Sequence, residues 1–238
     1  SNVAVGYFAA SSTTLGNLNT AVGTQALGTN VLGDRSTAIG YQALYQANPG
    51  SDVDSNNVAV GMHAGRGITT GTQNVAIGTY AMEDGNVTGN YNNALGTFAG
   101  EKLTTGTQNT MIGGRAGKEV TEADYNTAIG YQAGGGASAV ASTGAGNTSL
   151  GHSALEAVTT GHSNVALGKN AMIACQTGMN NVAIGYQTLD AATTSFYNVA
   201  VGAQALTAND TGNYNTAVGY GSLKAQSGSA NTNTAGGY

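Results

Sequence analysis

Two glutamates are the residues best placed by spacing to do acid–base chemistry. Glu83 and Glu101 fall at the same place in adjacent copies of a repeat, which sets them ~5 Å apart if the copies stack as neighbouring strands. Glycoside hydrolysis uses two carboxylates roughly 5 to 10 Å apart, so a glycan depolymerase is one function class to weigh. No aromatic platform accompanies the pair, and its repeat position carries other charges, so a solvated face is the simpler reading. The other candidates are weaker. His63, His152 and His162 lie at different positions of distant copies, with no metal-ligand spacing among them or to Cys175. Cys175 is the only cysteine; no histidine is placed to activate it, so it reads as a small filler. Asp52 and Asp54, on an inserted segment, could join a cation, although a solvated loop explains them as well. Gly113-Gly114-Arg115-Ala116-Gly117-Lys118 looks like a phosphate loop but lacks its spacing and the Ser/Thr after Lys. Tyr7, Tyr41, Tyr131, Tyr186 and Tyr220 share one repeat position and could form a sugar-binding strip, since tyrosine offers a flat apolar body with a polar tip. Covering a coil edge or a chain interface would use them equally well. No catalytic residue, metal or cofactor is assigned, and the chain reads as a non-enzyme.

What would position these residues is the repeat itself. The motif Asn-x-Ala-aliphatic-Gly-x-x-Ala starts at Asn2, Asn19, Ser36, Asn57, Asn74, Asn92, Asn109, Asn126, Asn147, Asn164, Asn181, Asn198 and Asn215. These thirteen copies are mostly 17 residues apart, with two steps of 21 and one of 18. With the Asn numbered zero, position four is Gly in every copy and position three is always Val, Ile or Leu. Position two is Ala except at Met111 and Ser149, and position seven is Ala except at Thr188 and Ser222. A fourteenth copy begins at Asn233, has Gly236 at position three, and runs out at Tyr238. Position nine gathers Arg66, Glu83, Glu101, Lys118, Glu156, Asp190 and Lys224, which marks it as an exposed corner.

Seventeen residues are too few for two packed helices, and no 3.6-residue period is present. The spacing predicts a short strand over positions zero to three, ended by a Gly that can turn at positive φ. Positions seven and eight make a second inward segment. Alternation puts positions one and three on one face and zero and two on the other. The invariant aliphatic suggests that one and three point inward. The Ala stripe at position two then faces away from that core, to pack closely against either the same coil's opposite wall or, the reading favoured here, another chain. The Asn row could form an amide ladder. The fold expected is all-β: a parallel β-solenoid of about thirteen coils across residues 1–238, a single repeat domain. The 21-residue steps place four-residue bulges within Tyr45 to Asn56 and Gly135 to Gly146, on the outside where insertions cost little.

Composition agrees. Of 238 residues, 38 are Gly and only 8% are charged, so the interior must be thin. Net charge is −5 with no Lys/Arg cluster, which argues against a nucleic-acid partner. No apolar run is long enough to insert in a membrane. The start at Ser1 and the uncapped end at Tyr238 suggest a fragment of a longer fibre.

The clearest copy, Asn126-Thr127-Ala128-Ile129-Gly130-Tyr131-Gln132-Ala133, resembles the head repeats of trimeric autotransporter adhesins. It is equally similar to repeats of trimeric phage tail-fibre proteins and related bacterial fibre proteins, and the resemblance covers essentially the whole chain. It implies a left-handed β-roll, a homotrimer, and a role in attachment to a host surface. The location it implies is extracellular, on a virion tail or a bacterial cell surface. The partner is then the chain itself, with a cell-surface glycan or protein beyond it. The autotransporter repeat is shorter, and neither a heptad neck nor a membrane anchor follows here, which favours a phage-type fibre. An ice-binding solenoid is a further alternative, opposed by Ala following the Thr or Val of each strand.

Overall fold

The computed structural model describes residues 1–51, 53–135, 140–226 and 231–237. It is all-β, with no helix among the described residues, and it divides into two compact units, Ser1–Glu122 and Ala123–Tyr238. The first unit holds β1 (Val3–Val5), β2 (Thr20–Val22), β3 (Thr37–Ile39), β4 (Val58–Val60), β5 (Val75–Ile77), β6 (Asn93–Leu95) and β7 (Thr110–Ile112). The second holds β8 (Thr127–Ile129), β9 (Thr148–Leu150), β10 (Val165–Leu167), β11 (Val182–Ile184), β12 (Val199–Val201), β13 (Thr216–Val218) and β14 (Thr234–Gly236). Within each unit every strand pairs in parallel with the next, position on position, so each unit is a parallel β-solenoid. The longer steps do not disturb this register: Thr37 pairs with Val58 and Thr127 with Thr148. The extra residues bulge outward instead, and Gly50, Ser51, Val53 and Asp54 are exposed. Part of the second bulge, 136–139, lies outside the described residues.

The strands stop after three residues because of the glycine. At position four φ runs from 122° to 141° in every copy. A side chain is excluded for a second reason: a methyl group on Gly168 would sit 2.4 Å from the Gly185 carbonyl oxygen of the next coil, and on Gly23 2.5 Å from that of Gly40. The glycines stack backbone on backbone.

The two strand faces are the reverse of the expectation. Ala21, Ala38, Ala59, Ala76 and Ala94 at position two are fully buried, as are Ala166, Ala183, Ala200 and Ala217. Positions one and three are the outward face, where Val5, Ile39, Ile77, Ile112, Leu150, Leu167 and Val218 are exposed. The Ala stripe therefore lines the interior and cannot be the surface against which other chains pack. The reason is the thinness of the coil. Position eight reaches across it to position two: a methyl group on Gly134 would sit 2.7 Å from the Ala128 side chain, and one on Gly65 3.3 Å from that of Ala59. Leu or Met at position eight leaves room only for Ala at position two. The converse occurs once. Met111 at position two fills the space left by glycines, its side chain lying 2.5 Å from where a Gly117 methyl would stand and 2.7 Å from that of Gly100. Position eleven completes the interior with Ile68, Leu103, Val120, Val158 and Cys175.

The expected amide ladder is present and is internal. Each Asn closes its own coil through Nδ2, as in Asn19 to the Gly33 carbonyl at 2.8 Å and Asn181 to that of Ser195 at 2.8 Å. Its Oδ1 accepts the next Asn backbone N–H, as in Asn74 to Asn57 at 2.9 Å and Asn198 to Asn181 at 3.0 Å. These amides are buried and hydrogen-bonded at both ends, which is what burial of a polar group demands. Ser36 carries no amide; its hydroxyl turns to the Asp34 carbonyl at 3.5 Å. The fourteenth copy keeps the ladder through Asn233 and forms β14. Gly236 is tolerated there because position three needs no interior side chain.

Candidate interaction surfaces

Three features stand out on the coils. The first is the outward strand face. In neither row, position one or position three, does any of the thirteen copies carry a charged residue. The rows read Val or Thr, with one Asn, beside Val, Ile or Leu. Strand alternation directs them out, and the in-register pairing within each unit joins them into stripes. Exposed members range from 37% for Ile112, Val165, Leu167 and Val199 to 57% for Val5. Contiguous apolar surface of this kind is uncommon on soluble monomers and marks contact sites.

The second is a corner of the first unit. Side chains at position six stack from coil to coil: His63 against Tyr80 with centroids 5.4 Å apart, and Tyr80 on Phe98 at 5.1 Å and 17°. Tyr41 closes one end at 5.3 Å from His63, and the Lys118 ammonium lies 5.8 Å from the Phe98 centroid at the other. Beside this column runs an ion ladder. Arg66 binds Glu83 at 2.7 Å, which also meets His63 Nδ1 at 3.1 Å. Lys118 meets Glu101 at 3.2 Å, and Lys102 binds the almost fully buried Glu119 at 2.8 Å. That hydrogen bond is the main cause of the raised Lys102 pKa, opposed by the cost of desolvating the ammonium. Glu83 and Glu101 do come to adjacent coils as the spacing predicts. They are largely covered, however, and each is held by its own cation, so position nine is a half-buried ladder here and not a freely solvated row. The signal was in the sequence: His63, Tyr80 and Phe98 each follow their Asn by six residues.

The third is the set of tyrosines that bracket the strands. Tyr7, Tyr41, Tyr131, Tyr186 and Tyr220, after the Gly turn, are all exposed. They do not form a continuous strip, because they follow β1, β3, β8, β11 and β13, no two of which are successive. Sequence reading passed over their counterparts on the other side, immediately before the Asn: Tyr91, Tyr125, Tyr197 and Tyr214. These have φ near 60° and are exposed, and Tyr197 and Tyr214 stack at 5.2 Å with an 8° interplanar angle.

The remaining candidates stay apart. Asp54 forms an ion pair with Arg35 and a bridge to Asp34, while Asp52 lies outside the described residues. His152 packs on Tyr131 at 5.4 Å, and His162 Nδ1 is 3.3 Å from Ser163 Oγ. Among the described residues no three His, Cys, Asp or Glu side chains are grouped to hold a metal. Cys175 is buried where other coils place Ile, Leu or Val, and that burial pushes its thiol up to about 12, against a smaller opposite pull from the Gly178 backbone. In the glycine-rich stretch, Gly113 belongs to the stacked glycines, Ala116 is interior, Gly117 packs on Met111 and Lys118 is ion-paired. Compared with known proteins, the chain matches no family model, no curated protein and no solved structure.

Proposed function

We propose that this chain is a structural and adhesive segment of a homotrimeric surface or phage-tail fibre that contributes to attachment to a host cell. The observation that carries the reading is the charge-free strand face. Seven strands at ~4.8 Å spacing run about 34 Å, and with strands of three residues, roughly 10 Å long, each unit offers on the order of 340 Å². That falls within the roughly 300–600 Å² of the largest apolar patches on single chains, which are often functional. Depletion of charge at the centre of such a surface is the compositional mark of a contact. The likeness of the repeat to trimeric fibre proteins supplies the number three and the extracellular setting.

The test is the mass in solution. Light scattering should give three times 23.5 kDa, and the double variant Ile77→Lys, Leu167→Lys should give 23.5 kDa. A wild-type mass of 23.5 kDa would overturn the trimer. Turning Thr and Val outward also gives an ice-binding face a geometric basis that the sequence alone denied it. Ice-recrystallisation inhibition by a monomer would favour that reading.

A further inference from the structure

We infer that the tyrosine-bracketed patch on β11–β13 is the anchor through which copies of this chain hold one another. This rests on the self-association proposed above and names its strongest point. Tyr125 and Tyr131 bracket the single strand β8, but among the described residues only here do tyrosines at both ends of the apolar rows spread over neighbouring coils. Tyr197 and Tyr214 stand before β12 and β13, and Tyr186 and Tyr220 follow β11 and β13. All four are between 47% and 58% exposed, and Val199 and Val218 between them are exposed as well. No charged residue occupies the bracketing or outward positions of these three coils. Large aromatic side chains within a charge-free apolar surface are what binding hot spots are made of.

The ring geometry favours a second copy over a sugar. Carbohydrate stacks on the open face of an aromatic ring. Tyr197 and Tyr214 lie nearly parallel at 5.2 Å, so each ring has one face covered by the other and is not open on both sides to a sugar. Nearby, Gln204 Nε2 donates to Gln187 Oε1 at 3.2 Å, so these amides spend hydrogen bonds on each other that sugar hydroxyls would need. Half-exposed aromatic rings beside charge-free rows of Val and Ile are suited to packing against the same rows on another chain. Exposure of a stacked pair is also costly for a free chain, because it leaves two large apolar rings half in water.

The test uses Tyr197→Asn with Tyr214→Asn. Asparagine is the natural occupant of this position in the preceding coil, where Asn180 has φ 56° against 57° for both tyrosines, so the substitution preserves the backbone. Tyr91→Asn in the first unit, at φ 60°, is the control. Sedimentation of the full chain over a dilution series should show the double variant dissociating at a concentration at least 100-fold higher than wild type, and the control within threefold. Unchanged far-ultraviolet circular dichroism would show that the fold is retained. A wild type that never associates sinks the assembly proposal itself. A wild type that associates, with a double variant that dissociates no more readily than the control, overturns only the anchor. Loss of retention on a polysaccharide column without any change in assembly would also overturn it, by reassigning the patch to glycan.

Discussion

The same corner of the coil is built in two ways. In the first unit, positions six and nine carry stacked aromatics and an ion ladder, His63–Tyr80–Phe98 capped by Tyr41 from position five, beside Arg66, Glu83, Glu101 and Lys118. In the second unit the position-six places hold Gln132, Ser153, Asn170, Gln187 and Gln204. Its position-nine charges are Glu156, Asp190 and Lys224, none adjacent to an opposite charge in the next coil. The backbone does not register the difference: strands pair position on position in both units, and the glycines stack in both. The coil is therefore specified by its interior and its glycines. The corner adds columns of side-chain contacts without altering it.

The largest effect should be common to both units, which tests that claim directly. Gly78→Ala and Gly168→Ala would each force a methyl group to within 3 Å of the next glycine's backbone, at a φ that L residues rarely adopt. Each should cost more than about 4 kcal/mol, outside the range of ordinary substitutions. Urea denaturation would show it as loss of cooperative folding. A mild effect in one unit alone would mean that the two coils are not built alike.

Met111→Ala should come next, at about 2–5 kcal/mol, because neighbouring coils have glycine where others have Leu or Met and cannot refill the space. Met172→Ala, at position eight of the second unit and equally buried, should cost a similar amount. The match would show that the Met111 arrangement is an exchange of volume between positions two and eight.

Glu119→Gln acts on the first unit only. It removes the partner of Lys102 and Lys118 and should cost about 1 kcal/mol, less at high salt, because the ammonium groups remain partly solvated. The pH dependence follows from Lys102. Its folded pKa is raised, so its contribution is complete below the unfolded value and is lost as pH rises through the folded one. Alkaline titration should therefore weaken the first unit, and Glu119→Gln should reduce that dependence, leaving only the smaller pull of Glu101 and Asp84.

The smallest effect belongs to the second unit. Asp190 has its carboxyl pKa raised by burial, against hydrogen bonds from its own and the Ala191 backbone N–H. A raised carboxyl favours the folded state when protonated, so this contribution is present in acid and lost as pH rises through the folded value. Asp190→Asn should stabilise the chain slightly at pH 7 and leave it unchanged in strong acid. Hydrogen exchange resolved by residue would confine the gain to the coils around β11. A gain seen equally in the first unit would break the comparison.

The sequence by itself determined the coil length, the approximate number of turns, the parallel order of the strands, the glycine turn and the Asn ladder. Each of these follows from a residue type recurring at fixed spacing. It also held the aromatic column and the ion pairs, since residues at the same position of successive copies must become neighbours. Only the tertiary structure decided which strand face is inside. Alternation separates Ala21 from Thr20 and Val22 but assigns neither to the core, and the usual rule that larger aliphatics are buried pointed the wrong way. The interior is only one Ala and one Leu across, so the position-eight side chain fixes what position two can be. Val, Ile and Leu at position three are left facing outward.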